Sequence, residues 1–361
     1  MIIGIPKEIK NHEYRVGATP KGVAEMIKNG HQVLIEKNAG LEIDFTNEQY
    51  QASGAKIIDS AKQIYQDSTM ILKVKEPQAI ECEMIKKNQI IFSYLHLAAE
   101  RELTQNLIKS GCSAIAFETI TDNNNSLPLL APMSEVAGKI SIQAGAKALE
   151  KSQGGRGILL GGVPGVGRAH ILILGGGVAG TNAAKVAIGM GAHVTILDKS
   201  LARIRYLCDI FGNDAEILYS NQQNITDAIQ KSDLIIGAVL VAGSSAPKLI
   251  NKDDLKLMKK GAVLVDIAID QGGCFATSKP TSHSQPTFIV DGIVHYCVTN
   301  MPGAVPRTST QALENSTLPF TIEIANKGLE KALAENHHLK NGLNIHQGKI
   351  THAAVAQSLN L

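Results

Sequence analysis

Short runs of β-branched and other apolar residues alternate with amphipathic stretches from one end of the chain to the other. In the first third the apolar runs predict strands at Ile2–Ile5, Gln32–Ile35, Met70–Val74, Ile90–Tyr94 and Ala114–Phe117, with helices near 20–29, 60–66, 79–86 and 99–109 between them. A long helical pattern, about Ser134 to Lys151, follows Pro128 and Pro132 and leads into a glycine-rich stretch over 154–167. Beyond it the runs predict further strands at Ile171–Leu174, His193–Leu197, Ile217–Leu218, Leu234–Ala238, Val263–Asp266 and Phe288–Val290. A last helical pattern, Leu318–Glu335, lies past Pro302 and Pro306. Such alternation is the signature of mostly parallel sheets with helices on both faces. The fold class is α/β.

At 361 residues the chain is long for one core, and about 150 residues per domain suggests two. Residues 1–130, joined by 305–361 returning at the end, are expected to form one domain and 131–304 the other. Both are expected to be Rossmann-like, with a cleft between them that a double crossing allows to close by hinge motion.

The sharpest local signal is Ile171-Leu172-Ile173-Leu174-Gly175-Gly176-Gly177-Val178-Ala179-Gly180, an apolar strand entering G-x-G-x-x-G and then a helix over Thr181–Met190. Gly175 suits the tight turn, Gly177 lets backbone approach a pyrophosphate without a Cβ in the way, and Gly180 allows close packing of helix on strand. The helix N-terminus adds free N–H groups and partial positive charge. Asp198 ends the next strand at the offset where a carboxylate grips an adenosine ribose, which favours NAD over NADP.

Charge narrows the partners. With 35 basic and 33 acidic residues the net charge is +2, and no long run of one sign offers nucleic acid or an anionic membrane a footprint. The five cysteines are scattered without a C-x-x-C pair, as expected of buried reduced thiols. Met1–Glu8 has no basic segment followed by an apolar one, and the apolar stretches near 158–180 are broken by Pro164, Arg168 and His170. A soluble cytoplasmic protein is expected. No cluster with metal-ligand spacing stands out, so no metal is expected.

Hydride exchange with a bound nicotinamide needs a group to move a proton and cations for a substrate carboxylate, and α/β sheets gather such groups at strand C-termini. Arg15 stands after the first strand, Lys75 after Ile71-Leu72-Lys73-Val74, His96 after Ile90–Leu95 and Asp270 after Val263–Ile269. Each also has a plain structural reading: a helix-cap histidine for His96, a turn aspartate for Asp270, solvated cations for Arg15 and Lys75. Ser134 is placed to cap the long helix.

Six blocks carry a resemblance: Gly4–Val16 (G-I-P-K-E-I-K-N-H-E-Y-R-V), Leu72–Pro77, Ala131–Gly138, Gly161–Val166, Asp266–Gly273 and Asn300–Ser309. Over essentially its whole length the chain resembles the bacterial L-alanine dehydrogenases, in the group shared with the NAD-binding subunit of nicotinamide nucleotide transhydrogenase. The resemblance implies reversible, NAD-dependent oxidative deamination of L-alanine to pyruvate and ammonium by a homohexamer. It implies that Arg15 and Lys75 hold the substrate carboxylate and that His96 and Asp270 are the acid/base groups. For the cofactor it points to Ser134, Val178, Ala179, Asp198, Arg203, Ser220, Val239, Leu240, Ile267, Asp270, Val298, Asn300 and Met301. Lys279 belongs to the same set but stands where relatives carry an arginine. The alternatives are a soluble transhydrogenase subunit, whose Arg-x-Gln loop is replaced here by Leu127–Met133, and a non-catalytic NAD-sensing protein on an inherited fold.

Overall fold

The computed structural model describes residues 1–239 and 246–359. They form two compact units, Met1–Met133 with Val305–Leu361, and Ser134–Ala304. In chain order the first unit carries β1 (Ile2–Ile5), β2 (Gln32–Glu36), β3 (Lys56–Ile58), β4 (Met70–Leu72), β5 (Ile90–Ser93) and β6 (Ser113–Ala116). The second carries β7 (His170–Leu174), β8 (His193–Asp198), β9 (Ala215–Tyr219), β10 (Leu234–Gly237), β11 (Val263–Asp266), β12 (Thr287–Val290) and β13 (Ile293–Tyr296). The returning segment adds β14 (Leu343–His346) and β15 (Lys349–Ile350) to the first unit.

The first sheet runs β3-β2-β1-β4-β5-β6-β14-β15 and the second β9-β8-β7-β10-β11-β13-β12. Strands β1 to β6 pair in parallel, with β14 antiparallel on β6. In the second sheet only β12 runs antiparallel. Both units therefore have the doubly wound order 3-2-1-4-5, and each has a switch point, between β1 and β4 and between β7 and β10. Successive connections leave toward opposite faces there, which opens a crevice at the strand C-termini. Burial on both faces explains the composition: every residue of β4, β5, β10 and β11 is buried.

Several elements differ from the sequence expectation, each for a local reason. Strands β3, β13, β14 and β15 are not signalled by the apolar runs; they are short, and β3 and β15 are partly exposed. The last long helix is Pro306–Lys327, because Pro306 occupies its first turn and initiates rather than breaks it. Gly328, at φ +76°, ends it, so the expected Leu318–Glu335 is split and Leu329–Glu335 forms a separate helix. The central helix spans Ala131–Ala148, which puts Ser134 inside it rather than at its cap. Residues 131–133 group with the first unit, where Leu129 O accepts the Tyr94 hydroxyl (2.6 Å) and Met133 Sδ faces Arg15. Four cysteines are buried as expected, but Cys208 is exposed. Among the described residues no helix is long and apolar enough to cross a membrane.

Candidate anion anchor and dinucleotide cradle at the strand ends

At the first switch point the loop after β1 presents Arg15, which is 2% exposed. Its Nε and Nη2 donate to Glu13 Oε1 and Oε2 at 2.7 and 2.6 Å, and Nη1 faces Met133 Sδ at 3.1 Å. One bidentate edge of the guanidinium is thus used inside the protein. The clamp fixes the plane of the cation and keeps it charged: burial alone works against the charge, but Glu13 outweighs it and raises the Arg15 pKa. The rest of the loop is tied to helix Pro306–Lys327 by Val16 N–H to Thr310 Oγ1 (3.3 Å) and by Thr19, whose N–H and hydroxyl both donate to buried Glu314 at 2.6 Å.

The loop after β4 is set by a second buried cluster. Lys73, with no exposed side-chain surface, lies 3.2 Å from Glu8 Oε2 and donates to Glu81 Oε1 at 2.7 Å. Glu8 Oε1 accepts the N–H groups of Val74 (2.7 Å) and Lys75 (3.4 Å), while Glu81 also accepts from the Tyr65 hydroxyl and from Gln78 N–H. Glu8 belongs to the Arg15 loop, so this one carboxylate joins the segments carrying Arg15 and Lys75. Lys75 itself is half-buried.

His96 follows β5 with φ +52°, an unusual conformation for a residue with a Cβ and one met at functional positions. It stands at the cap of the turn Leu97–Ala99, yet its side chain makes no capping bond. Its N–H donates to Glu118 Oε1 at 2.6 Å, its Nδ1 is 4.0 Å from the same oxygen, and its exposed ring stacks on buried Tyr94 with centroids 5.9 Å apart.

In the second unit the glycine turn separates by role. Gly175, at φ +97°, takes a conformation that side chains disfavour, and a Cβ on Gly180 would lie 1.8 Å from Gly175 O. Those two glycines are demanded by the protein itself. A Cβ on Gly177 would meet nothing within 4 Å, so the open space over it suits a ligand. Asp198, at the end of β8, accepts Gly176 N–H on Oδ2 and Ser200 N–H on Oδ1, each at 2.8 Å, which aims the carboxylate across the turn. Arg203 donates from Nε to Gly176 O and from Nη2 to Thr181 Oγ1 (2.7 Å). It braces the turn. These features fit a dinucleotide: a turn without side chains, a helix N-terminus at Val178 and Ala179, and a carboxylate for ribose hydroxyls.

Several other expected cofactor positions follow strands of the same sheet. Buried Ser220 donates its N–H to Asp198 O (2.9 Å), and Val239 O, after β10, faces the Cys274 thiol at 3.7 Å. Ile267 and exposed Asp270 belong to the turn Ile267–Gln271 after β11. Val298 and Met301 are buried after β13, with half-buried Asn300 between them at φ +59°. Ser134 is half-buried on its helix, Lys279 is exposed, and Leu240 lies outside the described residues.

Sequence reasoning missed Glu8, Glu13, Lys73, Glu81, Tyr94 and Glu118. A signal existed for one of them, since a lysine inside the apolar run Ile71-Leu72-Lys73-Val74 must find a buried counter-charge. Glu8 and Glu118 come from distant segments, and Glu13 and Glu81, though nearer their partners, gave no such sign.

A glycine turn between strand and helix, with an acid ending the neighbouring strand, marks an α/β protein with a dinucleotide-binding type of fold. The chain belongs to the alanine dehydrogenase/PNT family: the N-terminal domain model matches residues 4–137 and the C-terminal one 141–353. It is 55% identical over 361 residues to an alanine dehydrogenase of Halomonas elongata, covering 100% of this chain and 97% of that one. With an alanine dehydrogenase of Bacillus subtilis the identity is 54%, over 99% and 95% of the two chains. Among solved structures it is similar to an L-alanine dehydrogenase (TM-score 0.97, 51% identity, 100% and 99% covered). A transhydrogenase from Sinorhizobium meliloti shares the fold (TM-score 0.84, 22% identity, 98% and 100% covered).

Proposed function

We propose that this chain catalyses the reversible reaction of L-alanine, NAD⁺ and water to pyruvate, ammonium, NADH and a proton. The observation that carries the reading is full-length likeness to alanine dehydrogenases at more than half identity, where the transhydrogenase shares only the fold. In this reading the first unit binds the amino acid and the second binds NAD.

NAD, when bound, accepts the hydride from the alanine Cα. The Gly175, Gly177 and Gly180 turn with the N–H groups at Val178 and Ala179 would hold its pyrophosphate, and Asp198 would accept ribose hydroxyls while repelling a 2′-phosphate. Ser134, Ser220, Val239, Ile267, Lys279, Val298, Asn300 and Met301 would complete its contacts. Arg15, held rigid by Glu13, and Lys75, a compact second charge, fix the substrate carboxylate. Loss of hydride leaves an iminium carbon that water attacks. His96 takes the proton of that water and returns it to the nitrogen as the carbinolamine collapses, and anionic Asp270 steadies the nitrogen cation.

Appearance of NADH absorbance with L-alanine tests the reaction, and its absence under saturating NAD⁺ would leave the transhydrogenase-subunit or NAD-sensing readings standing. Replacing His96 by Ala is expected to slow steady-state pyruvate formation from L-alanine by about 10²–10⁴-fold. Comparable kcat/KM with NADP⁺ would refute the role of Asp198. We further propose a cytoplasmic homohexamer, which light scattering on the purified chain checks.

A further inference from the structure

The loop that carries Asp270 is gripped from two sides by groups of opposite charge. On one side is Asp266, the fully buried last residue of β11. Its carboxylate accepts the N–H groups of Ala268 (3.2 Å), Cys274 (2.8 Å) and Phe275 (3.4 Å) and the Ser278 hydroxyl (2.5 Å). On the other side is Lys248, whose ammonium donates to Gly272 O, to Gly273 O (2.8 Å) and to Phe275 O (3.3 Å). The carboxylate collects the loop's donors and the ammonium its acceptors.

The geometry explains why the loop needs both. Asp270 sits in a single 3₁₀ turn, Ile267–Gln271, followed by Gly272 and Gly273 at φ +87° and +79°. A Cβ on Gly273 would lie 2.5 Å from Asp266 Oδ2, so the backbone is drawn tightly over the carboxylate. The carbonyls of Gly272, Gly273 and Phe275 lie within reach of one ammonium, whose charge offsets the repulsion between their dipoles. Lys248 is that cation. It is delivered by a backbone ladder, Ala246 N–H to Gln271 O (3.0 Å), Leu249 N–H to Cys274 O (2.7 Å) and Ala276 N–H to Ile250 O (2.9 Å). Lys248 is exposed, yet its charged end is spent on carbonyls that begin two residues after Asp270.

We propose that Lys248, with Asp266 opposite it, is a positioning residue that fixes the turn bearing Asp270 and so sets where that carboxylate stands during the reaction. This rests on the catalytic reading of Asp270 given above. Lys248 acts through the loop backbone and touches no reacting atom.

The test is a double-mutant cycle in the full chain, read by single-turnover hydride transfer from L-alanine and by NADH fluorescence titration. Replacing Lys248 by Met is expected to slow hydride transfer by roughly 10–100-fold, the scale of a catalytic group misplaced by about an ångström. NADH affinity should fall by a smaller factor than the rate of hydride transfer, since Ile267 and Asp270 are two of many proposed cofactor contacts. Lys248→Arg, which keeps a cation with several donors, should recover part of the rate. In an Asp270→Asn background, Lys248→Met should cost little more, because the group it positions is already lost. Three results overturn the proposal: an unchanged rate in Lys248→Met, an equal loss in both backgrounds, or Lys248→Arg as impaired as Lys248→Met. If Asp270→Asn alone leaves hydride transfer intact, the catalytic reading of Asp270 fails and the positioning proposal with it. If Asp270→Asn is crippled while Lys248→Met is not, only the positioning proposal fails. Should Lys248→Met not fold, the same comparison is made with Lys248→Arg and Ser278→Ala, the latter removing one donor to Asp266.

Discussion

The two units share a strand order but furnish their switch points in opposite ways. Between β1 and β4 the crevice is built from buried charge: Arg15 on Glu13, and Lys73 between Glu8 and Glu81. Between β7 and β10 it is built from backbone, with glycines at the turn and Asp198 aimed across it. Under the proposed function the contrast follows from ligand size. A small carboxylate offers few atoms to bind and is held by cations whose own positions are locked, whereas a dinucleotide has many atoms and is held by removing side chains and exposing N–H groups. One topology therefore supports a charge-based anchor and a space-based cradle.

The largest expected effect breaks the charge-based half. Lys73→Met leaves Glu8 and Glu81 buried without their shared cation and should cost about 3–5 kcal/mol in denaturant unfolding; a loss under about 1 kcal/mol would show that the cluster is not held by charge. Arg15→Ala should cost about 2–5 kcal/mol in kcat/KM for alanine, while NADH still binds. Near-normal alanine kinetics would remove Arg15 from the anchor.

The cradle is sharpened by two glycines that look alike in sequence. Gly180→Ala forces a Cβ against Gly175 O and should destabilise by about 1–3 kcal/mol. Gly177→Ala meets no protein atom, so its stability should fall by less than about 1 kcal/mol while NADH affinity drops. Equal effects of the two on unfolding would contradict the division of roles.

The smallest effect is a pH slope. Burial raises the Glu8 carboxyl above its ordinary 4.5, and the Lys73 cation does not fully offset this. The folded chain thus binds that proton more tightly than the unfolded one. This contribution to stability is fully present below the unfolded carboxyl pKa and is lost as pH rises through the higher folded value. Glu8→Gln, which cannot ionise, should therefore gain on the parent chain as pH rises above 4.5. A difference independent of pH would show that Glu8 ionises normally in the fold.

Local patterns read directly from the sequence as long as one segment contained the whole signal. The glycine turn, Asp198 at the next strand end, and most inner strands are of this kind, because hydrophobic period and turn chemistry act over a few residues. Short edge strands such as β15 carry too few apolar positions to register, and Pro306 misled because a proline that starts a helix and one that breaks it look the same without the helix.

The candidate site divides along the same line. The sequence by itself determined which residues stand at strand ends: Arg15, Lys75, His96, Asp198 and Asp270 follow from alternation and from where parallel strands stop. Only the tertiary structure decided what holds them there. Glu13 on Arg15, Glu8 beneath Lys75, Glu118 behind His96, and Asp266 with Lys248 around the Asp270 loop are pairings of buried charges and backbone groups, most of them brought together from distant segments. A sequence states that a buried charge must find a partner; which partner it finds is fixed by the chain's path through space.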